Sequence, residues 1–99
     1  MELTRLRSFV VLAERLHFGE AARLLHLSQP ALSKQIRQLE EEIGAPLLDR
    51  GRHGAELTEV GSLFAEEARR LVRQADAAFE QGRRAARGEV GRASCRERV

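Results

Sequence analysis

Residues 28–46 carry local signals that bound a helix at both ends, and this segment constrains the rest of the chain most. Ser28 is a good N-cap, because its hydroxyl can accept from an unpaired backbone N–H of the next turn, and Pro30 suits a first turn where its missing N–H costs nothing. Gly44 supplies a helix C-cap, with Pro46 just beyond it to prevent continuation. Between these limits Leu32, Ile36, Leu39 and Ile43 step by four, three and four residues, while Gln29, Pro30, Ser33, Lys34 and Arg37 fall on the remaining surface. The segment predicts a helix from about Gln29 to Ile43 with one buried face and one polar, basic face.

The same reasoning places the other elements. Leu3, Leu6, Phe9, Val10, Ala13 and Leu16 recur at three- and four-residue steps, giving a helix from about Thr4 to Arg15 with one apolar stripe. Phe18, Ala21, Ala22 and Leu25 suit a helix of two turns, and the small alanines would let another helix cross closely; His26-Leu27-Ser28 interrupts it. Leu47-Leu48-Asp49-Arg50 and Glu56-Leu57 flank Gly51-Arg52-His53-Gly54, a turn-rich segment that could form a small two-stranded wing. From Thr58, an expected N-cap, a helical pattern runs through Val60, Phe64, Glu67, Leu71, Ala75, Ala78 and Gly82 at nearly heptad spacing. One helix standing clear of a small domain cannot bury that stripe alone, so a partner helix from a second subunit is expected, with packing inside the same chain as the other reading. Phe64, Leu71, Ala75 and Phe79 are the expected dimerisation positions.

A chain of 99 residues with 42% apolar content and four aromatics fits one small helical domain with an aliphatic core. No apolar run approaches the roughly 18 residues that span a bilayer. The start, Met1-Glu2-Leu3-Thr4-Arg5, lacks a basic-then-apolar signal peptide, so a cytoplasmic location without membrane association is expected. Gly91-Arg92-Ala93-Ser94-Cys95-Arg96-Glu97-Arg98-Val99 resembles a translated sequencing adapter and is set aside as non-native. That tail holds three Arg and one Glu of the 17 basic and 15 acidic residues, so without it both classes number fourteen and the total charge gives no indication of nucleic acid. It also takes away Cys95, the single cysteine, and with it any basis for thiol chemistry, disulfides or cysteine-ligated metal. Charge placement still informs: between Ala21 and Leu39 lie Arg23, Lys34 and Arg37 with no acidic residue, so a local basic face survives a neutral total.

Two short helices joined by a three- to four-residue turn, the second capped by Ser and carrying polar side chains, match the helix-turn-helix pattern. The chemistry fits DNA: the major groove admits a helix whose Gln, Ser and Lys or Arg side chains read base edges, while Arg and backbone N–H groups hold phosphates. Pattern alone leaves an ordinary solvated helix face as the other reading.

The ordered blocks Leu6-Arg7-Ser8-Phe9, His17-Phe18-Gly19-Glu20-Ala21-Ala22-Arg23-Leu24-Leu25, Leu27-Ser28-Gln29-Pro30-Ala31-Leu32-Ser33-Lys34-Gln35-Ile36-Arg37-Gln38-Leu39-Glu40, Leu47-Leu48-Asp49-Arg50 and Leu57-Thr58-Glu59-Val60-Gly61 resemble the DNA-binding signature of LysR-type transcriptional regulators over about residues 2–88. The resemblance implies a mainly α fold, a winged helix-turn-helix over 1–57 with a small two-stranded wing, then a long linker or dimerisation helix over 58–88 and a tail over 89–99. It implies a sequence-specific DNA-binding transcription regulator, not an enzyme, with no cofactor, truncated before its inducer-binding domain. Gln29, Pro30, Ser33 and Lys34 would then face bases and adjacent phosphates, Ser28 and Arg37 would help fix the backbone, and Arg50 and Arg52 in the wing would reach phosphate or the minor groove. The partners implied are double-stranded DNA with an interrupted palindromic operator, a second copy paired through the linker helix, a tetramer in the full-length protein, and a small-molecule inducer held only by the C-terminal domain.

The chain departs from the pattern at three positions. Glu20 stands where a basic or polar residue is usual, Leu48 replaces a common Phe, and Lys34 replaces a common Arg whose bidentate fork it cannot reproduce. Other readings are a helical protein-interaction module and another winged-helix regulator, such as a molybdate-responsive one. His17, His26 and His53 are scattered without the spacing of a helical metal pair, so the first two read as helix-boundary residues and the third as a wing residue near phosphate. Glu40-Glu41-Glu42 diverge by about 100° each around a helix and read as a solvated face.

Overall fold

The computed structural model describes residues 2–51 and 54–88, arranged as α1 (Leu3–Arg15), α2 (Phe18–Leu25), α3 (Gln29–Ile43), β1 (Leu48–Gly51), β2 (Gly54–Leu57) and α4 (Glu59–Ala86). The expected wing tip at Arg52 and His53 and the tail over 89–99, including the adapter-like stretch, lie outside the described residues.

α1 buries Leu6, Phe9, Leu12 and Ala13 along one stripe. It ends at Leu16, whose left-handed backbone (φ 52°) turns its N–H onto the Leu12 carbonyl at 2.7 Å. α2 is capped by His17, whose Nδ1 accepts from the Glu20 N–H at 2.9 Å, and it closes at His26 with φ 59°. Both histidines are therefore boundary residues, as their positions in the sequence suggest. Ala21 and Ala22 are buried, and α2 packs against both α1 and α3 at these small side chains. In α3 Leu32, Ile36 and Leu39 enter the core, while Ile43 remains 40% exposed at the helix end. Gly44, with φ 92°, donates its N–H to the Glu40 carbonyl at 2.7 Å, the left-handed C-cap expected of that glycine.

One assignment needs correcting. Glu40 is not part of a solvated acidic face: it is half-buried, and its Oε2 accepts from the backbone N–H of Leu47 at 2.8 Å and of Leu48 at 3.4 Å. The turn through Gly44-Ala45-Pro46 brings the chain back past the last turns of α3, and two N–H groups at the start of the wing would otherwise lack a partner there. Glu41 and Glu42 remain exposed.

The wing is a two-stranded antiparallel sheet that pairs Leu48 with Leu57, Asp49 with Glu56, Arg50 with Ala55 and Gly51 with Gly54. Its base is clamped to α4. Thr58 donates its N–H to the Leu47 carbonyl at 3.0 Å and its hydroxyl to the Pro46 carbonyl at 2.8 Å, while the same hydroxyl accepts from the Gly61 N–H at 2.9 Å. Gly61 is required by this crossing, because a Cβ there would stand 2.0 Å from the Leu47 carbonyl oxygen. Further along α4, Ala65 and Ala68 are buried and Phe64 places its ring 5.4 Å from that of Phe9. Among the described residues no helix is long and apolar enough to cross a membrane.

Candidate nucleic-acid interface

The helix-turn-helix is built from local chemistry. Three residues, His26 to Ser28, separate α2 from α3. Leu27 returns its N–H to the Ala22 carbonyl at 2.8 Å, and Ser28 accepts from the Ala31 N–H at 3.2 Å. With Leu32, Ile36 and Leu39 in the core, Gln29, Pro30, Lys34 and Arg37 are exposed on the other side of α3 and Ser33 is half-buried. Gln29, Ser33 and Arg37 follow one another at four-residue steps, and Pro30 and Lys34 form the adjoining row. Arg23 on α2 is exposed as well.

Two grooves border this face. One, of about 280 Å³, lies between the start of α2 and the wing, with His17, Phe18, Gly19, Gln29, Arg50 and Ala55 in its walls. Gly19 leaves room for Gln29, whose Nε2 lies 3.1 Å from where a Cβ would be. The second, of about 260 Å³, runs between α3 and β1, lined by Ser33, Arg37, Glu40 and Leu48. Arg50 forms the wall between them. Its guanidinium carbon sits 3.9 Å from the centroid of the Phe18 ring, and its Nη2 donates to Ser33 Oγ at 3.1 Å.

Of the residues that the resemblance puts at DNA, Gln29 and Arg50 line one groove and Ser33, Arg37 and Arg50 the other, while Ser28, Pro30 and Lys34 are exposed at the start and along the outer side of α3. Arg52, the other expected wing contact, lies outside the described residues. The roles of Phe18 as a platform for Arg50, of Gly19 as the clearance for Gln29, and of Glu40 as the anchor of the wing were not read from the sequence. Ser8 was missed too: it is buried in α1 and donates to Gln35 Oε1 on α3 at 2.5 Å, tying the inner side of α3 to α1. Among the described residues no group of three His, Cys, Asp or Glu side chains could hold a metal ion.

The family profile for the bacterial regulatory helix-turn-helix protein, lysR family, matches residues 3–62. The chain belongs to the LysR family. It is 50% identical over 94 residues to the HTH-type transcriptional regulator BudR of Klebsiella aerogenes, covering 95% of this chain and 66% of BudR. It is 48% identical over 91 residues to the HTH-type transcriptional regulator AlsR of Bacillus subtilis, covering 92% of this chain and 30% of AlsR. The crystal structure of BenM_DBD with catB site 1 DNA matches with a TM-score of 0.83 and 41% identity, covering 87% of this chain and 97% of that one. This LysR-family chain thus spans 30% of AlsR and 66% of BudR, and its four helices and two-stranded sheet are the fold of a domain solved on DNA.

On α4 the expected dimerisation residues divide. Phe64 is half-buried against Phe9 of its own chain and Ala75 is half-buried, whereas Leu71 is 47% and Phe79 60% exposed. Leu63, absent from the expected stripe, is 65% exposed.

Proposed function

We propose that this chain is the DNA-reading part of a transcription regulator: α3 enters the major groove of duplex DNA and reads a sequence there. The observation that carries the reading is the row of exposed Gln29, half-buried Ser33 and exposed Arg37 beside exposed Pro30 and Lys34 on a capped second helix, in a fold that superimposes on BenM_DBD in its DNA complex. Gln29, Pro30, Ser33 and Lys34 face bases and neighbouring phosphates, Ser28 and Arg37 fix the backbone, and Arg50 and Arg52 bring the wing to the duplex. The dyad comes from α4: Leu71 and Phe79 expose apolar surface that a second copy would cover, Phe64 and Ala75 flank it, and two α3 helices then address an interrupted palindrome. In the full-length protein, a C-terminal domain would hold a small-molecule inducer and pair dimers into a tetramer. Such a regulator works in the cytoplasm, on the nucleoid.

Gel shift on duplex DNA across a salt series tests this. Binding should weaken steeply with salt, because each neutralised phosphate releases counterions. Gln29→Ala should weaken a selected operator by about 1–3 kcal/mol more than random duplex. Equal losses on both would reassign Gln29 to backbone contact, and salt-insensitive or absent binding would overturn the DNA reading.

A further inference from the structure

The wing and α3 share a hydrogen bond whose direction is fixed by chemistry. Arg50 stands on β1 opposite Ala55, with its guanidinium over the Phe18 ring and Nη2 on Ser33 Oγ. A guanidinium can only donate, so the Ser33 oxygen is the acceptor and one of its lone pairs is occupied. The hydroxyl proton is left to point elsewhere. A second N–H brought to the same oxygen would meet the fixed positive charge of Arg50 at close range, whereas an acceptor would be welcome. Ser33 lies in the row between Gln29 and Arg37, the row that faces outward from α3.

We propose that Arg50 is a positioning residue that sets Ser33 as a hydrogen-bond donor. At the base pair it meets, Ser33 therefore selects a major-groove acceptor, purine N7, guanine O6 or thymine O4, and disfavours the amino groups of adenine and cytosine. A serine hydroxyl is otherwise ambivalent, reading donors and acceptors alike. The planar guanidinium matters as well as the charge. Its face lies on Phe18 while its edge meets Ser33, a combination that a lysine ammonium cannot reproduce. This rests on the DNA reading proposed above.

The test starts from the 99-residue chain and a random-sequence duplex library. The unaltered chain should enrich a consensus; no enrichment overturns the DNA reading and this inference with it. Ser33→Ala then identifies the operator position whose preference depends on Ser33. At that position, 7-deazapurine, 6-thioguanine or 4-thiothymine should weaken the unaltered chain about tenfold and leave Ser33→Ala unaffected. Replacing the amino-bearing base there by an analogue lacking the amino group should change nothing. Arg50→Ala and Arg50→Lys should both relax preference at that same position, with Arg50→Lys keeping the salt dependence, and Ser33→Ala with Arg50→Ala should lose no more discrimination than Ser33→Ala alone. With a consensus in hand, three results each overturn the inference alone: a loss on deleting the amino group, a preference unchanged in Arg50→Lys, or additive losses in the double variant. An arginine that merely holds phosphate would give the second of these, since lysine supplies the same charge.

Discussion

The first part of α4, through Val72, presents Gly61, Ala65 and Ala68 to the core, whereas from Arg73 to Ala86 every side chain but the half-buried Ala75 is exposed. Both parts continue one helix with one apolar spacing, yet they solve different problems. Where α4 crosses the wing base Gly61 lets the backbones approach closely, and along α1 Ala65 and Ala68 are buried beside Phe64, which packs on Phe9. On the side of α4 turned away from the core the residues are large, with Leu63 65%, Leu71 47% and Phe79 60% exposed, and none of the described elements covers them. Ion pairs such as Arg70 to Glu67 and Arg83 to Glu80, each at 2.8 Å between exposed side chains, support the helix but contribute little in water. An apolar stripe therefore has one meaning beside the core and another beyond it, and burial, not spacing, tells them apart.

The same substitution placed in the two parts should have opposite signs. Gly61→Ala puts a Cβ 2.0 Å from the Leu47 carbonyl oxygen, a backbone atom that can yield only if the wing base and its Thr58 contacts shift. We expect a loss of about 3 kcal/mol, seen as a lower urea midpoint. Gly82→Ala meets nothing within 4 Å and should stabilise the helix by about 0.5–1 kcal/mol, measured where the chain is monomeric. A tolerated Gly61→Ala would mean that the crossing is looser than its geometry implies.

Next in size is the effect on self-association. Leu71→Glu removes one exposed leucine per chain and, by two-fold symmetry, two per interface, so the dimer dissociation constant should rise by about a hundredfold or more. Sedimentation at micromolar concentration reads this directly, and an unchanged monomer fraction would sink the assignment of this face. The monomer's thermal stability should barely move, because Leu71 is half exposed there already.

What could be read from the sequence follows the range of the physics involved. α3 was bounded correctly from Ser28, Gly44 and Pro46 because capping acts within one turn, and the start of α4 was legible from Thr58 for the same reason. The wing was less legible: strands of four residues carry little periodicity, and their pairing depends on residues beyond the turn. Least legible were contacts between elements. Arg50 reaches Ser33 across 17 positions, Glu40 turns from an apparent solvent residue into the anchor for two N–H groups, and Phe64 leaves the expected stripe for the Phe9 ring. None of these has a local signature, since each is decided by where a second element comes to lie. The candidate site was legible as a face of α3, but not as a set of coupled side chains.

The smallest effect expected concerns the tether that ends the packed part of α4. Arg7 on α1 donates through Nη2 to Asp76 Oδ1 at 2.6 Å, between two largely exposed side chains. That hydrogen bond, helped by the positive charges of Arg7 and Arg83 and opposed by partial desolvation, holds the Asp76 carboxyl below its ordinary value. The same bond raises Arg7, whose charge is present throughout the accessible range. Because the folded state depresses the carboxyl, the link contributes at any pH above the unfolded value of about 3.9 and fades as pH falls through the lower folded value. Asp76→Asn should therefore speed hydrogen exchange of the backbone amides beyond Asp76 at neutral pH while leaving those of α1 through α3 unchanged. Once the pH has fallen through the lowered folded value, the parent and the variant should exchange alike after intrinsic rates are divided out, because both then carry a neutral side chain at this position. A difference that persisted there would assign the tether to shape or helix propensity instead of charge, and faster exchange throughout α1 to α3 would mean that the two parts of α4 are less independent than their burial implies.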